Sequence, residues 1–337
     1  MEEGGHYYTV YYTSLAVGFK EPVAYRHAVL SQMPDEVLWL DAAHMQTQQC
    51  KGTFGNRFIS LGKETDLDGV ERYVPADERY RVQYGLHALP GRSLNENTRS
   101  SAYQRRITAQ MLQRESPVSL KFGMLLHRLG DTYAHSRMDN DQTMYTVTET
   151  DKCFTSGHYT ESFGHLFHMH DPDYPFLRQN IFFSYLEHLY EVLLNKVRER
   201  GSAPYRRNVR PRPFHEVRGD FQIMFMRLTQ RVQRKMKQDQ EVFDEAAKYS
   251  GTYVAAREAG SETKAKWFIE EIRDGSLRVL KIPMRKYSPE NEEGMSLQQF
   301  LGRHPELNDL NINSRNLNNA MNGMLPRNAR GGATGTW

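Results

Sequence analysis

The sequence predicts an all-α protein. Leu, Met, Tyr, Phe and His recur at helical spacings along the 337 residues, and runs of alternating polarity, which would indicate strands, are few. A chain of this length can bury a substantial core, as one large domain or as two smaller ones. The 19 Tyr residues suit a large packed domain in which polar-tipped aromatic side chains surround a cleft.

The N-terminal part of the chain carries two predicted elements. Residues 6–19 are apolar on more than one side, so they could form a buried strand or a buried helix. Glu21 and Pro22 then begin a helix, since Pro is well suited to the first helical turn. We expect this helix to run to about Met33, where Pro34 should break it.

Further helices are expected downstream. Ser116 is a good N-cap, with Pro117 next to it, for a helix that carries residues 121–140. Residues 178–200 are strongly periodic and end before a glycine, and Ser296 is a plausible N-cap for a short helix. The resulting organisation is a helical metal-binding domain over 1–200, a helical extension packed on it over 201–325, and a flexible tail over 326–337.

Charge and cysteine content exclude several classes of protein. The net charge of +3 is too small to imply nucleic acid or an anionic membrane as the partner by itself. The basic helix expected over 217–238 indicates a solvated face, because few aromatics interleave with its charges. Two cysteines, Cys50 and Cys153, exclude an all-cysteine metal site.

The sequence also bears on where the protein acts. The first residues lack a positive region followed by an apolar one, so they do not resemble a signal peptide. No window reaches the roughly 18 apolar residues of a transmembrane segment. We therefore expect a protein made in the cytoplasm, and export by a route that uses no cleaved signal peptide stays open.

The central motif lies at His127, Asp131 and His135, which are spaced four residues apart. On a helix such positions fall near one face, and the surrounding residues are apolar enough to bury that face. Buried imidazoles and a buried carboxylate need partners, and a divalent metal satisfies all three at once. The alternative is a core helix with two hydrogen-bonded histidines and a paired aspartate.

A second histidine-rich stretch covers 157–173. Glu161 and His165 would share one face of a helix, and the neighbouring candidates are His158, His168, His170, Asp171 and Asp173. The alternative is an exposed polar loop with incidental histidines.

Two isolated residues complete the set. Asp35 could reach into a cleft or could cap a helix, and His87 could be a ligand or a satisfied core histidine. All candidates offer nitrogen or oxygen donors, as zinc accepts: Asp35, His87, His127, Asp131, His135, Glu161 and His165. More than four ligands suggest more than one metal, and two metals roughly 3.5–4 Å apart can hydrolyse a phosphoester.

The run Leu126–Asp131, followed closely by a histidine, resembles the central motif of the zinc-dependent phospholipase C and single-strand-specific nuclease superfamily. That family is all-helical, hydrolyses phosphodiesters and uses a tri-zinc cluster. The resemblance covers roughly residues 1–200. It implies one metal on His87, His127 and Asp131, with Asp131 bridging, and another on His135, His165 and Glu161. Asp35 would be the base or the carboxylate that orients the water.

The chain departs from that family in three places. The family's mature chain begins with a Trp that binds zinc, so here His6 could replace that ligand, or the third metal is missing. The histidine after Asp131 comes sooner than in the family, and the late pair is reversed. His158 with Glu161, or His165 with His168 or Asp173, could also fill that pair.

The resemblance implies a zinc-dependent phosphoester hydrolase with two or three zinc ions. Its substrate would be a phospholipid or another phosphodiester. If the protein is an exported bacterial toxin or effector, a secretion machine or a cognate inhibitor would be a further partner. The second hypothesis is a non-catalytic helical interaction protein on the same scaffold.

Overall fold

The computed structural model describes most of the helical part of the chain. The described residues are 3–41, 63–73, 78, 81–88, 101–134, 136–138, 144–146, 175, 179–199, 204–206, 209–246, 250–287 and 294–325. Within them the protein is mostly helical, which confirms the predicted all-α class.

Nine α-helices are described. They are α1 (Val10–Val17), α2 (Glu21–Glu36), α3 (Ser101–Arg114), α4 (Leu120–Ala134), α5 (Gln179–Glu199), α6 (Phe214–Ala246), α7 (Ser250–Gly275), α8 (Leu297–Arg303) and α9 (Ser314–Met324). Gly4–Thr9, Arg81–Leu86 and Ser276–Leu280 are π-helical, and Pro305–Leu310 is a 3₁₀-helix.

Four strands of three residues form two antiparallel hairpins. Strand β1 (Lys63–Thr65) pairs with β2 (Glu71–Tyr73), and β3 (Ser136–Met138) pairs with β4 (Met144–Thr146).

The N-terminal segment is helical, not a strand. The π-helical segment Gly4–Thr9 continues into α1, and every residue of both is buried. Helix α1 ends at Gly18, whose φ of +108° lets its N–H return to the carbonyls of Ser14 and Leu15.

Two predicted boundaries are wrong. Helix α2 does not stop before Pro34 but continues to Glu36, so Pro34 lies inside it. Helix α4 starts at Leu120, and its cap is Ser119 rather than Ser116, because the Phe122 N–H donates to Ser119 Oγ at 3.1 Å. The predicted cap at Ser296 is confirmed as a capping box with Gln299.

The core is one continuous cluster built around α4. Helix α4 packs against α2, α3 and α5, and α2 also packs against α1. Helix α7 packs on the N-terminal π-helical segment, while α9 packs on α4 and on the segment Arg81–Leu86. The division at residue 200 stays a prediction, and the tail 326–337 lies outside the described residues.

Candidate metal centre

Helix α4 supplies the two central side chains of the site. His127 and Asp131 lie one helical turn apart and are both buried in the core. The His127 Nε2 atom is 3.0 Å from Asp131 Oδ2, so the i, i+4 spacing places both side chains at one point.

Three other segments bring their own ligand-capable side chains to this point. Asp35 lies in the last turn of α2, His87 directly follows the π-helical segment Arg81–Leu86, and His6 lies inside the π-helical segment Gly4–Thr9. Such π-helical turns are rare and occur frequently at functional sites. The structure thus joins residues that are 125 positions apart in sequence, as in the contact between His6 and Asp131.

One set of potential metal-ligand atoms lies around Asp131 Oδ2. This oxygen lies 2.9 Å from His87 Nδ1 and 3.0 Å from His127 Nε2, and the two nitrogens are 3.0 Å apart. Asp35 Oδ1 lies 3.7 Å from His127 Nε2 and 4.0 Å from His87 Nδ1. Two nitrogens and two oxygens therefore surround a common position.

The hydrogen bonds of the two rings fix their tautomers. His87 Nε2 lies 2.8 Å from the carbonyl oxygen of Leu40, and His127 Nδ1 lies 2.8 Å from that of Ser31. A carbonyl oxygen only accepts, so each of these ring nitrogens carries its proton and donates. In the neutral rings, His87 Nδ1 and His127 Nε2 therefore present lone pairs toward each other and toward the Asp131 carboxylate.

This arrangement fits the chemistry of a bound zinc ion. A tetrahedral ion with ligands at about 2.0–2.1 Å has ligand atoms about 3.3 Å from one another. The five separations that involve a ring nitrogen of the set, 2.9–4.0 Å, bracket that value. Metal-binding histidines almost always donate their other N–H to a carbonyl or carboxylate, as both rings do here.

A second set of potential metal-ligand atoms lies at the other oxygens of the same two carboxylates. His6 Nε2 is 3.0 Å from Asp131 Oδ1 and 3.8 Å from Asp35 Oδ2. The His6 ring stacks on the His127 ring with a centroid distance of 4.1 Å. Asp131 and Asp35 therefore each turn one oxygen to each set.

Burial keeps His127 and His6 in the neutral form that can bind a cation. It lowers the pKa of His127 to about 4, against the opposing attraction of Asp131. It also holds the pKa of His6 well below its ordinary value. Both rings are therefore neutral near pH 7, as a metal ligand must be.

Asp35 differs from the other four residues in its access to solvent. Its side chain is 26% exposed, whereas Asp131 is 1% exposed and the three histidines are fully buried. A small molecule would therefore meet the site first at the Asp35 carboxylate.

Two glycines on α4, neither of which was among the predicted site residues, let other segments approach this helix closely. A Cβ at Gly130 would lie 2.8 Å from His6 Cε1, and a Cβ at Gly123 would lie 2.2 Å from Leu30 Cβ on α2. The signal was their seven-residue spacing on an otherwise apolar helix, which places both near one face.

Arg128 was also not among the predicted site residues. This buried guanidinium donates to Thr108 Oγ1 at 3.0 Å and to Gln104 Oε1 at 2.6 Å, both on α3. It also donates to the carbonyl oxygens of Tyr84 and Gly85, just before His87. Arg128 thus ties α4 to the segment that positions His87. An arginine within an apolar helical run was the available signal.

Part of the predicted ligand set cannot be placed. His135 and the candidates from the second histidine-rich stretch lie outside the described residues: His158, Glu161, His165, His168, His170, Asp171 and Asp173.

Comparison with known protein families gives a match over the N-terminal part of the chain. The model of a protein family described as "Family of unknown function (DUF6765)" matches residues 1–201, which include all five residues of the site. No curated protein and no solved structure matches the chain. None of the helices in the described part of the chain combines the length and apolar character that a membrane crossing requires.

Proposed function

The chain belongs to this family of unknown function, whose description names no activity, and we propose from the site itself that the protein is a metal-dependent hydrolase of phosphoester bonds. The observation that carries the proposal is the convergence of lone pairs. His87 Nδ1, His127 Nε2 and Asp131 Oδ2 lie within 3.0 Å of one another, and both ring protons point outward to carbonyls. A cation resolves the repulsion that these atoms would otherwise have.

Zinc is the proposed metal, with two or three ions in all. His87, His127 and Asp131 would hold one ion, and Asp35 Oδ1 lies 3.7–4.0 Å from the two ring nitrogens of that set. His6 with the other oxygen of Asp131 would contribute to another, and His135, Glu161 and His165 are proposed ligands from the remainder of the chain. Zinc at such a site supplies a Lewis acid and lowers the pKa of bound water.

Asp35 is the proposed catalytic base. It is the most solvent-accessible of the five side chains, and its two oxygens lie 3.7–4.0 Å from the ring nitrogens of His6, His87 and His127. A carboxylate at that position can accept a proton from an attacking water while Asp131 stays buried between the histidines. Asp131 would orient the rings and neutralise charge.

The substrate would be a phospholipid or another phosphodiester. The resemblance to the phospholipase C and nuclease superfamily supports that substrate class, and the all-helical fold agrees with it. The experiment therefore uses three probes: bis(p-nitrophenyl) phosphate as a generic diester, short-chain phosphatidylcholine, and a single-stranded oligonucleotide.

The test combines metal analysis with two variants. The purified protein should contain two or three zinc ions per chain and should cleave at least the generic diester. His127→Ala and Asp131→Ala should abolish cleavage while the circular dichroism spectrum stays helical. His27→Gln is the matched control, because His27 is another buried histidine of the core that bonds Ser14 and the carbonyl of Pro117 instead.

Two outcomes would contradict the proposal. Unchanged cleavage in both variants would show that the site takes no part in the reaction. A protein that binds no metal and cleaves none of the three probes would favour the non-catalytic helical interaction protein.

Export as a bacterial toxin or effector is a separate proposal, with a secretion machine or a cognate inhibitor as partner. It predicts that expression of the wild-type protein slows the growth of a bacterial host, and that His127→Ala relieves this effect. Equal growth with both proteins would contradict it.

A further inference from the structure

The segment 294–325, here named the C-terminal clasp, contacts both the end of α2, next to Asp35, and the segment that precedes His87. It comprises α8, the 3₁₀-helix Pro305–Leu310 and α9, and it lies outside the residues matched by the family model. Its apolar side chains Met295, Phe300, Leu307, Leu317 and Met321 are buried in the common core. The clasp is therefore packed into the same hydrophobic core as the helices that carry the site.

The first contact of the clasp is with the end of α2, next to Asp35. The Met295 N–H donates to the Glu36 carbonyl at 2.8 Å, and the Leu38 N–H donates to the Met295 carbonyl at 3.1 Å. These bonds form a parallel bridge between Val37 and Met295. They fix the chain just after Asp35, and this same stretch leads to Leu40, whose carbonyl receives the His87 N–H.

Gly294 makes this contact possible. Its φ of +76° is a conformation that side chains disfavour, and a Cβ there would lie 2.7 Å from Leu38 Cδ2. Any other residue would strain the bridge or push Leu38 away.

The second contact of the clasp is with the segment that precedes His87. Helix α9 packs on Arg81–Leu86, where a Cβ on Gly85 would lie 3.3 Å from Leu325 Cδ2 and 3.4 Å from the Met321 carbonyl oxygen. The backbone at Gly85 is thus in close contact with α9 on one side. On the other side its carbonyl accepts from Arg128.

We infer that the C-terminal clasp is a positioning element that holds Asp35 and His87 at the cation site. This inference rests on the proposed function, because it concerns the affinity of that site for its cation. It assigns a positioning role to the contacts that Gly294, Met295, Met321 and Leu325 make with the end of α2 and with Gly85. Outer-shell partners of metal ligands typically change metal affinity by about 10–100-fold when they are mutated.

The test measures Co²⁺ and Zn²⁺ binding to the full-length protein. Gly294→Ala should weaken the affinity for either ion by about tenfold and should change the visible absorption spectrum of bound Co²⁺, since the positions of its ligands change. Truncating Leu38 in the same chain, as Gly294→Ala/Leu38→Ala, removes the colliding atom and should restore part of the affinity.

Two controls separate positioning from general instability. Gly302 lies on an exposed part of α8, where an added Cβ meets no atom within 4 Å. The Gly302→Ala protein should therefore bind Co²⁺ and Zn²⁺ as tightly as the wild type. Leu228→Ala truncates the core in α6, an element without a site residue, and should lower the melting temperature without changing the Co²⁺ spectrum.

The outcomes are distinguishable. If the wild-type protein binds neither ion, the proposed function fails. If the wild type binds and Gly294→Ala binds equally well with an unchanged spectrum, the clasp has no positioning role. A Leu228→Ala protein that shows the same loss of affinity and the same spectral change would also overturn the inference.

Discussion

His87 Nδ1 and His127 Nε2 lie 3.0 Å apart although each ring donates its other N–H to a backbone carbonyl. Two imidazole lone pairs at that distance repel each other, and the Asp131 oxygen that faces both adds a negative charge. A proton or a metal ion between them would relieve this repulsion. Burial holds the pKa of His127 at about 4, so near neutral pH this ring does not supply the proton.

The two aspartates should fail in different ways. Asp131→Asn removes the charge that faces all three histidines. Because mutating an outer-shell partner of a metal ligand can lower affinity by about 100-fold, loss of this ligand charge should lower the affinity for Zn²⁺ by more than that. Asp35→Asn leaves that group in place. The Asn amide oxygen still faces the site, so the affinity for Zn²⁺ should fall far less than in Asp131→Asn and KM should change little, while kcat on the generic diester falls by about 10²–10⁴-fold, as for loss of a general base.

Equilibrium dialysis and steady-state kinetics check this division of roles. Asn keeps the shape of both side chains, so circular dichroism should be unchanged in each variant. Equal losses of affinity in Asp35→Asn and Asp131→Asn would contradict separate roles for the two carboxylates.

The local part of the site could be predicted from the sequence. The spacing of His127 and Asp131 on one face of an apolar helix is a property of helical geometry, and Gly18 and Ser296 follow ordinary rules for helix ends. The cap of α4 could not be decided, since Ser116 and Ser119 both have a suitable side chain. Only the fold decides which serine lies at the first turn.

The remainder depends on contacts between distant segments. Nothing near His6 in the sequence reveals that it stacks on His127, and nothing near Leu40 reveals that its carbonyl receives the His87 proton. The roles of Gly123, Gly130 and Arg128 are likewise set by what lies opposite them in space. Periodicity shows which face of a helix is buried but not its partner.

The glycines of α4 should resist substitution, in contrast to other helical glycines. Alanine normally stabilises a helix relative to glycine by about 0.5–1 kcal/mol. Gly123→Ala should instead destabilise by about 1–3 kcal/mol, because its Cβ collides with Leu30 Cβ and forces α2 away from α4. Gly130→Ala should displace the His6 ring at a smaller cost in stability.

Urea unfolding measures these differences. Gly219→Ala on α6 is the matched control, since an added Cβ there meets no atom within 4 Å and should be neutral or stabilising. A Gly123→Ala protein as stable as Gly219→Ala would contradict the close approach of α2 and α4.

Although it buries a charge, Arg128 should contribute strongly to the free energy of unfolding. Arg128→Met would leave the buried carbonyls of Tyr84 and Gly85 without this donor, and an unsatisfied buried group costs about 1–3 kcal/mol. We expect a loss of at least about 3 kcal/mol in urea unfolding. Arg234→Met, at an exposed position of α6, should change stability by no more than about 0.5 kcal/mol. Similar values for the two variants would contradict the role of Arg128.

Acid should destabilise the fold through His27. Burial lowers the pKa of this histidine from 6.5 to about 4, so the folded protein keeps it neutral while the unfolded chain protonates it. Its contribution is complete above pH 6.5 and is lost as the pH falls toward 4. In that interval one proton changes the free energy of unfolding by up to about 1.4 kcal/mol per pH unit.

The His27→Gln variant isolates this contribution. The glutamine amide can still donate to the carbonyl of Pro117, which now receives the His27 N–H at 2.6 Å, but it does not titrate. Urea unfolding of the metal-free protein between pH 4 and pH 7 should therefore give a shallower slope for the variant. Identical slopes would show that His27 binds its proton equally well in both states.

The two sets of potential metal-ligand atoms predict that cations can be removed one at a time. His87 Nδ1 faces Asp131 Oδ2, whereas His6 Nε2 faces Asp131 Oδ1, 3.0 Å away on the opposite side of the carboxylate. His6→Ala should therefore lower the zinc content by one ion and leave the ion at His87 and His127 bound. His87→Ala should have the reverse effect, and Asp131→Ala should release both, because its carboxylate serves each set. Elemental analysis after dialysis gives the counts. If His6→Ala keeps the full zinc content, His6 is a structural neighbour of the His127 ring, and all bound zinc depends on other residues.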